Sequence, residues 1–185
     1  RDDVESRGLG DVYKRQVCGK SGMLTAGCHA EWTESAHVKI ASDRSNFGGV
    51  TGLTQAESNY AFLVGCYALC NGRVEIEPKN GTDYTANAGG IAGTLANSTI
   101  AGCTVKAKNI YGHNASSPSL IGVSGIAAYV VGVSSVSDCK AYATLIRNST
   151  VLGTEDASVT PDNLFGMGMI VGIDAGTTTV TNCGV

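Results

Sequence analysis

Three groups of residues in this 185-residue chain have types and spacing that could do chemistry. His29 and Glu31 form a His-x-Glu pair, with Glu34 and His37 just beyond. Such a set suggests acid–base or metal chemistry. The histidines do not have the i, i+4 spacing of a helical metalloprotease, however, and no third ligand accompanies them. They read as a solvated strand face. Glu75 and Glu77 lie two apart on the segment Val74-Glu75-Ile76-Glu77. β-Helix enzymes that cleave polysaccharides need carboxylates, or a carboxylate and a base, converging on one exposed face. These two share one strand and have no evident partner, so surface solubility explains them. The third group is the seven cysteines. Cys66 and Cys70 lack the CxxC spacing or paired histidine of a zinc site, and Cys18 stands apart. The Asn-x-Ser/Thr triplets at Asn97, Asn114 and Asn148 fall in turn-like segments, where these residue types serve backbone geometry. The expectation is therefore no catalytic residues, no metal and no cofactor.

The elements that must position these residues begin after an anomalous N-terminus. The run Asp11-Val12-Tyr13-Lys14-Arg15-Gln16 back-translates codon for codon to the mosaic end of a transposon used to prepare sequencing libraries. The ten residues before it are charged and aperiodic. Residues 1–16 thus read as a non-native, unstructured segment, and residues 17–185 as one β-solenoid repeat domain truncated at both ends.

The arm carries as many basic as acidic residues, so the formal charge of −3 belongs to the remainder. No concentrated basic stripe is visible along the sequence, and nucleic acid is not expected as a partner. Charged residues make up 16% of the chain, against about 25% in an ordinary domain. Glycine, threonine, serine, alanine and valine are plentiful, a turn-rich β composition. The longest apolar stretches, Ile126 to Val136 and Leu164 to Ile173, fall short of the ~20 residues that span a bilayer.

Internal self-similarity organises the chain. The pattern Gly-Gly-aliphatic-small-Gly occurs as Gly48 to Gly52 and Gly89 to Gly93, with weaker copies at Ile121 to Gly125 and Gly168 to Gly172. A cysteine element trails each of these, ending at Cys66, Cys103, Cys139 and Cys183, and Leu24 to Cys28 supplies a fifth. The cysteine-to-cysteine steps are 38, 37, 36 and 44 residues, so one coil is about that long and its loops vary. After each cysteine the residues alternate with period two. The inward set, Cys28-Ala30-Trp32, Cys66-Ala68-Cys70, Cys103-Val105-Ala107, Cys139-Ala141-Ala143 and Cys183-Val185, is apolar or thiol. The outward set, which includes His29, Glu31, Tyr67, Leu69, Thr104, Lys106, Lys140 and Tyr142, is mostly polar or amphipathic. Stacked parallel strands around a narrow core satisfy both sets. The expected fold is all-β, a parallel β-helix or β-solenoid of four to five irregular coils. Cys28, Cys66, Cys103, Cys139 and Cys183 should be buried, reduced and aligned along one sheet, since identical side-chain vectors suit a disulfide torsion poorly.

Gly89 to Gly93 with Ile100 to Val105, and Val180 to Val185, resemble the GLUG-motif repeats of bacterial surface proteins. The resemblance covers nearly all of Phe47 to Val185. It implies a β-helix-type solenoid in a large extracellular protein, often an adhesin or an appendage of a secreted enzyme. The expected function is a non-enzymatic stalk or adhesive, glycan-binding surface at the cell surface or outside the cell, with host or microbial glycans or surface proteins as partners. The alternatives are an ancillary β-helix region of a carbohydrate-active or proteolytic enzyme, and a trimeric fibre. Equivalent connections of a solenoid emerge at one corner, so loops 43–46, 77–87, 111–119 and 153–163 should form one edge. That edge would gather Asp43, Arg44, Asp83, Tyr84, His113, Glu155, Asp156 and Asp162, a mixture of aromatic and acidic groups suited to sugars or a divalent cation.

Overall fold

A computed structural model describes residues 18–40, 44–55, 60–76, 85–112, 120–147, 150–152 and 166–185. The arm at residues 1–16 lies outside them. The described residues form a parallel β-solenoid whose coil has four sides. Sheet A stacks β1 (Cys18–Ser21), β6 (Thr51–Gln55), β10 (Ala92–Ala96), β14 (Ala127–Val131) and β19 (Val171–Asp174). Sheet B stacks β2 (Leu24–Ala26), β7 (Ala61–Val64), β11 (Ser98–Ala101), β15 (Val133–Ser137) and β20 (Thr177–Thr181). Sheet C holds the longest strands, β8 (Tyr67–Ile76), β12 (Thr104–Gly112) and β16 (Lys140–Arg147). On one side β3 (His29–Trp32) and β4 (His37–Ile40) share β8, and on the other β17 (Thr150–Leu152) folds back antiparallel on β16. Sheet D stacks β5 (Arg44–Gly48), β9 (Thr85–Gly89), β13 (Leu120–Ser124) and β18 (Met167–Gly168). The chain runs D, A, B, C and climbs one rung per circuit.

The two sequence elements are the two sharp corners of this coil. The glycine element turns the chain from sheet D into sheet A. Its aliphatic centre is a stack of Val50, Ile91, Ile126 and Ile170, each fully buried. Glycine precedes it because the corner packs against sheet C across the core. A Cβ on Gly90 would sit 2.2 Å from the Gly125 carbonyl oxygen and 2.4 Å from Val105 Cγ2. The pairing corrects one repeat. Ser124 stands opposite Gly89 and Ala127 opposite Ala92, so the third copy is Ser124-Gly125-Ile126-Ala127-Ala128, three residues after the Ile121 to Gly125 match. The strand just before that corner, with its own glycine and aliphatic residues, imitates the motif.

The cysteine element turns sheet B into sheet C. The residue before each cysteine is left-handed, with φ of 61° at Gly27, Gly65 and Gly102, 54° at Asp138 and 52° at Asn182. Only glycine, asparagine and aspartate take this conformation readily. That is why these three residue types fill this one repeat position. The corners are then tied rung to rung: the amides of Tyr67, Thr104, Lys140 and Gly184 donate to the carbonyls of Cys28, Cys66, Cys103 and Cys139 at 2.8 to 2.9 Å.

The core is narrow. Leu63, Ile100 and Val136 enter it from sheet B, Leu95 and Val130 from sheet A, and the alternating residues Ala68, Cys70, Val105, Ala141 and Ala143 from sheet C. In the first rung Trp32 packs on Phe47, ring centroids 5.8 Å apart. The inward sets read after each cysteine are buried from Ala30 to Ala143.

Candidate interaction surface

The outward side of sheet C carries most of the chemistry that the described residues display. The register lines its side chains up across rungs. His29, Tyr67, Thr104 and Lys140 form one row, and Glu31, Leu69, Lys106 and Tyr142 the next. Further along the strands, His37 stands beside Arg73 and Asn109, and Lys39 beside Glu75 and Tyr111. The turn between β3 and β4 makes this second half possible. The Arg73 amide donates to the Ala36 carbonyl at 2.9 Å, so that His37–Ile40 resumes pairing with Arg73–Ile76.

Glu75 is the most enclosed charged group on this face, at 7% exposure. Its Oε2 lies 2.9 Å from His37 Nε2 and 3.2 Å from Arg73 Nε, and its Oε1 lies 3.7 Å from Lys39 Nζ. The Arg73 guanidinium in turn lies 4.1 Å above the centre of the Tyr111 ring. The reading of Glu75 as a carboxylate without a partner is thereby corrected. The partner His37 is 38 residues away in sequence but on the adjacent strand. Local spacing could not reveal it, whereas the coil period does.

The group His29, Glu31, Glu34 and His37 is dispersed. His29 lies 4.0 Å from Glu31 and packs edge-on to Tyr67, ring centroids 5.0 Å apart. Glu34 instead reaches Lys108 at 2.6 Å, whose hydrogen bond and charge hold the Glu34 carboxyl below its ordinary value. Among the described residues, no three or more His, Cys, Asp or Glu side chains are grouped to hold a metal ion.

At the corner of sheets B and C the five repeat cysteines stack, one per rung, as free thiols. They stand in the corner ahead of the sheet C strands and not within them. Cys66, Cys103 and Cys139 are buried, whereas Cys28 and Cys183 are half-buried because each end rung covers its thiol on one side only. The Cys66 amide donates to Cys103 Sγ at 3.4 Å. Hydrogen bonding with Cys103 lowers Cys66 to about 6 and also lowers Cys139, while Cys103, enclosed between them, is pushed up. Cys70, four residues further on and within β8, is pushed up to about 12 by burial alone.

Of the loop edge, Asp43, Asp83, Tyr84, His113, Glu155, Asp156 and Asp162 lie outside the described residues. Arg44 opens β5, in register with Thr85. The proposed loops are shorter than their sequence bounds. Arg44–Asn46 and Thr85–Asn87 belong to β5 and β9, and Tyr111–Gly112 to β12. Asn46 and Asn87 form a side-chain bridge between rungs at 3.0 Å, closed by Thr94, whose hydroxyl donates to Asn46 Oδ1 at 2.6 Å. The stems of the connections do stack: Ile40, Ile76 and Gly112 align at the end of sheet C, and Arg44, Thr85 and Leu120 at the start of sheet D.

No protein-family model, curated protein or solved structure matches the chain. No helix among the described residues is long and apolar enough to cross a membrane.

Proposed function

We propose that this chain is a non-enzymatic repeat region of a bacterial cell-surface or secreted protein, and that it works as a stalk carrying an adhesive, glycan-binding face. One observation carries this reading. Parallel rungs in register turn single outward residues into rows, so that tyrosine, histidine, lysine and arginine side chains form a continuous surface on sheet C. Aromatic rings beside polar groups suit sugars, which offer both apolar ring faces and hydroxyls. The GLUG-like repeats and the charge-poor, turn-rich composition support an extracellular setting.

The test is retention of the full chain on immobilised polysaccharides, with reducing ends assayed in the eluate. Retention without release of new reducing ends is expected. Release of sugar fragments would replace this reading with an enzymatic one.

A second reading, a fibre of several chains, is favoured by sheet B. Its outward side exposes Leu24, Phe62 and Val64, at 66%, 42% and 39%, a surface that a second copy of the chain could cover. Light scattering that gives a monomer removes it.

A further inference from the structure

The outward side of sheet C also assembles a feature that is invisible in the linear sequence. Five basic residues fall on a diagonal across it: Lys39 on β4, Arg73 on β8, Lys108 and Lys106 on β12, and Lys140 on β16. They come from four different rungs. With a rise of about 6.6 Å per two residues and about 4.8 Å between strands, successive charges stand roughly 6 to 8 Å apart along a line of roughly 30 Å. Two carboxylates sit on this line. Glu34 pairs with Lys108, and Glu75 is shared by Arg73, Lys39 and His37. Among the described residues Lys106 and Lys140 form no ion pair, and both are exposed. The stripe therefore keeps a net positive charge in a chain whose formal charge is −3. Tyr142 flanks it beside Lys106, and Tyr111 beside Glu75.

We propose that this stripe binds an acidic polysaccharide, a polymer of uronic acid type with one charge every sugar or two. The proposal rests on the glycan-binding reading above and names its ligand class. Charge complementarity selects a polyanion, and the spacing selects among polyanions. Duplex DNA carries a charge for every ~1.7 Å of its axis and needs dense neutralisation. A sparse line of cations neutralises only a fraction of such a backbone, and Glu31, Glu34 and Glu75 close by repel the rest, whereas widely spaced carboxylates can each meet one cation. The tyrosines supply the ring contacts that a sugar polymer can use and that charge alone does not provide.

The experiment compares retention of the full chain on polygalacturonate, on uncharged dextran and on duplex DNA over a salt gradient. Three proteins are used: the native chain, the Lys106→Gln/Lys140→Gln double variant, and a Lys20→Gln control that removes a unit charge from β1 on sheet A. Retention on polygalacturonate that falls with salt is expected. The double variant should bind roughly fivefold more weakly, the size of losing two exposed ion pairs, while Lys20→Gln binds as the native chain does. Both altered lysines are exposed, and an unchanged thermal midpoint establishes that the double variant is folded. Equal retention on dextran and polygalacturonate overturns the acidic-ligand inference and leaves the glycan-binding reading standing. Stronger retention on DNA, or an equal effect of Lys20→Gln, overturns the inference as well. No retention on any matrix removes both.

Discussion

Sheets B and C meet at the cysteine corner and share one core, yet their outward sides have little in common. From sheet B point Leu24, Ala26, Phe62, Val64, Thr99, Ala101, Val133, Ser135, Ser137, Thr177, Thr179 and Thr181, none of them charged. From sheet C point lysines, arginine, glutamates, histidines and tyrosines. Inward, the two are alike in the middle rungs: small or aliphatic residues at every second position, all buried. The difference shows where each kind of information sits. The inward half of the alternation specifies the coil, and the outward half is free to vary, so chemistry concentrated on one outward side calls for a reason other than folding.

Substitution of an inward residue should damage both sides at once. Ile100 is fully buried on β11 between Leu63 and Val136. Ile100→Ala should cost about 2–5 kcal/mol, since a narrow stacked core relaxes little around a cavity. Equilibrium denaturation in urea measures it. A loss below ~1 kcal/mol would mean that the rungs are not packed as described.

An outward substitution on sheet C should cost less. Glu75→Gln leaves His37, Lys39 and Arg73 around a neutral amide, and a loss of about 1–3 kcal/mol is expected. The matching change on sheet B, Thr179→Val, should alter stability by less than ~0.5 kcal/mol, because it touches an exposed position with no charged partner. Equal effects on the two sides would erase the contrast.

The inward side of sheet C carries a thiol, Cys70, that sheet B lacks. Its folded value of about 12 lies above the ordinary thiol value of 9.0. A group raised on folding gives stability that is complete below its unfolded value and is lost as pH rises towards its folded one. Stability should therefore decline between about pH 9 and 12, by roughly 1 kcal/mol at pH 10. Denaturation at pH 8 and pH 10 compares the native chain with Cys70→Ala. A smaller alkaline decline in Cys70→Ala is expected, and an identical decline assigns the effect to other groups.

Much of the coil was legible because its causes are local. The recurring glycine and cysteine elements give the coil period, although that they are corners, the second with a left-handed residue before each cysteine, emerges only from the structure. Period-two alternation then gives the inward face. The third glycine corner was misplaced by three residues because β13 itself contains glycine and aliphatic residues, and only the pairing of Ser124 with Gly89 separates the two. The four sides of the coil were not legible, since straight segments of sheets A and B look alike in sequence. Nor was the Glu75 cluster or the basic diagonal. Both depend on which rung stands beside which, and the irregular cysteine steps hide the offset between His37, Arg73 and Tyr111. Lys106, Lys140 and Tyr142 were already on the outward list. What sequence could not supply was their alignment with residues of other rungs.

Ligand binding should be confined to the outward side of sheet C. Hydroxyl-radical footprinting of the full chain, with and without polygalacturonate, reads this side chain by side chain. Protection is predicted at Tyr67, Tyr111 and Tyr142 on sheet C, with unchanged labelling of Tyr60 and Phe62 beside and on sheet B and of Met23 at the A–B corner. Protection of Met23, Tyr60 and Phe62 with Tyr67, Tyr111 and Tyr142 unprotected would contradict it.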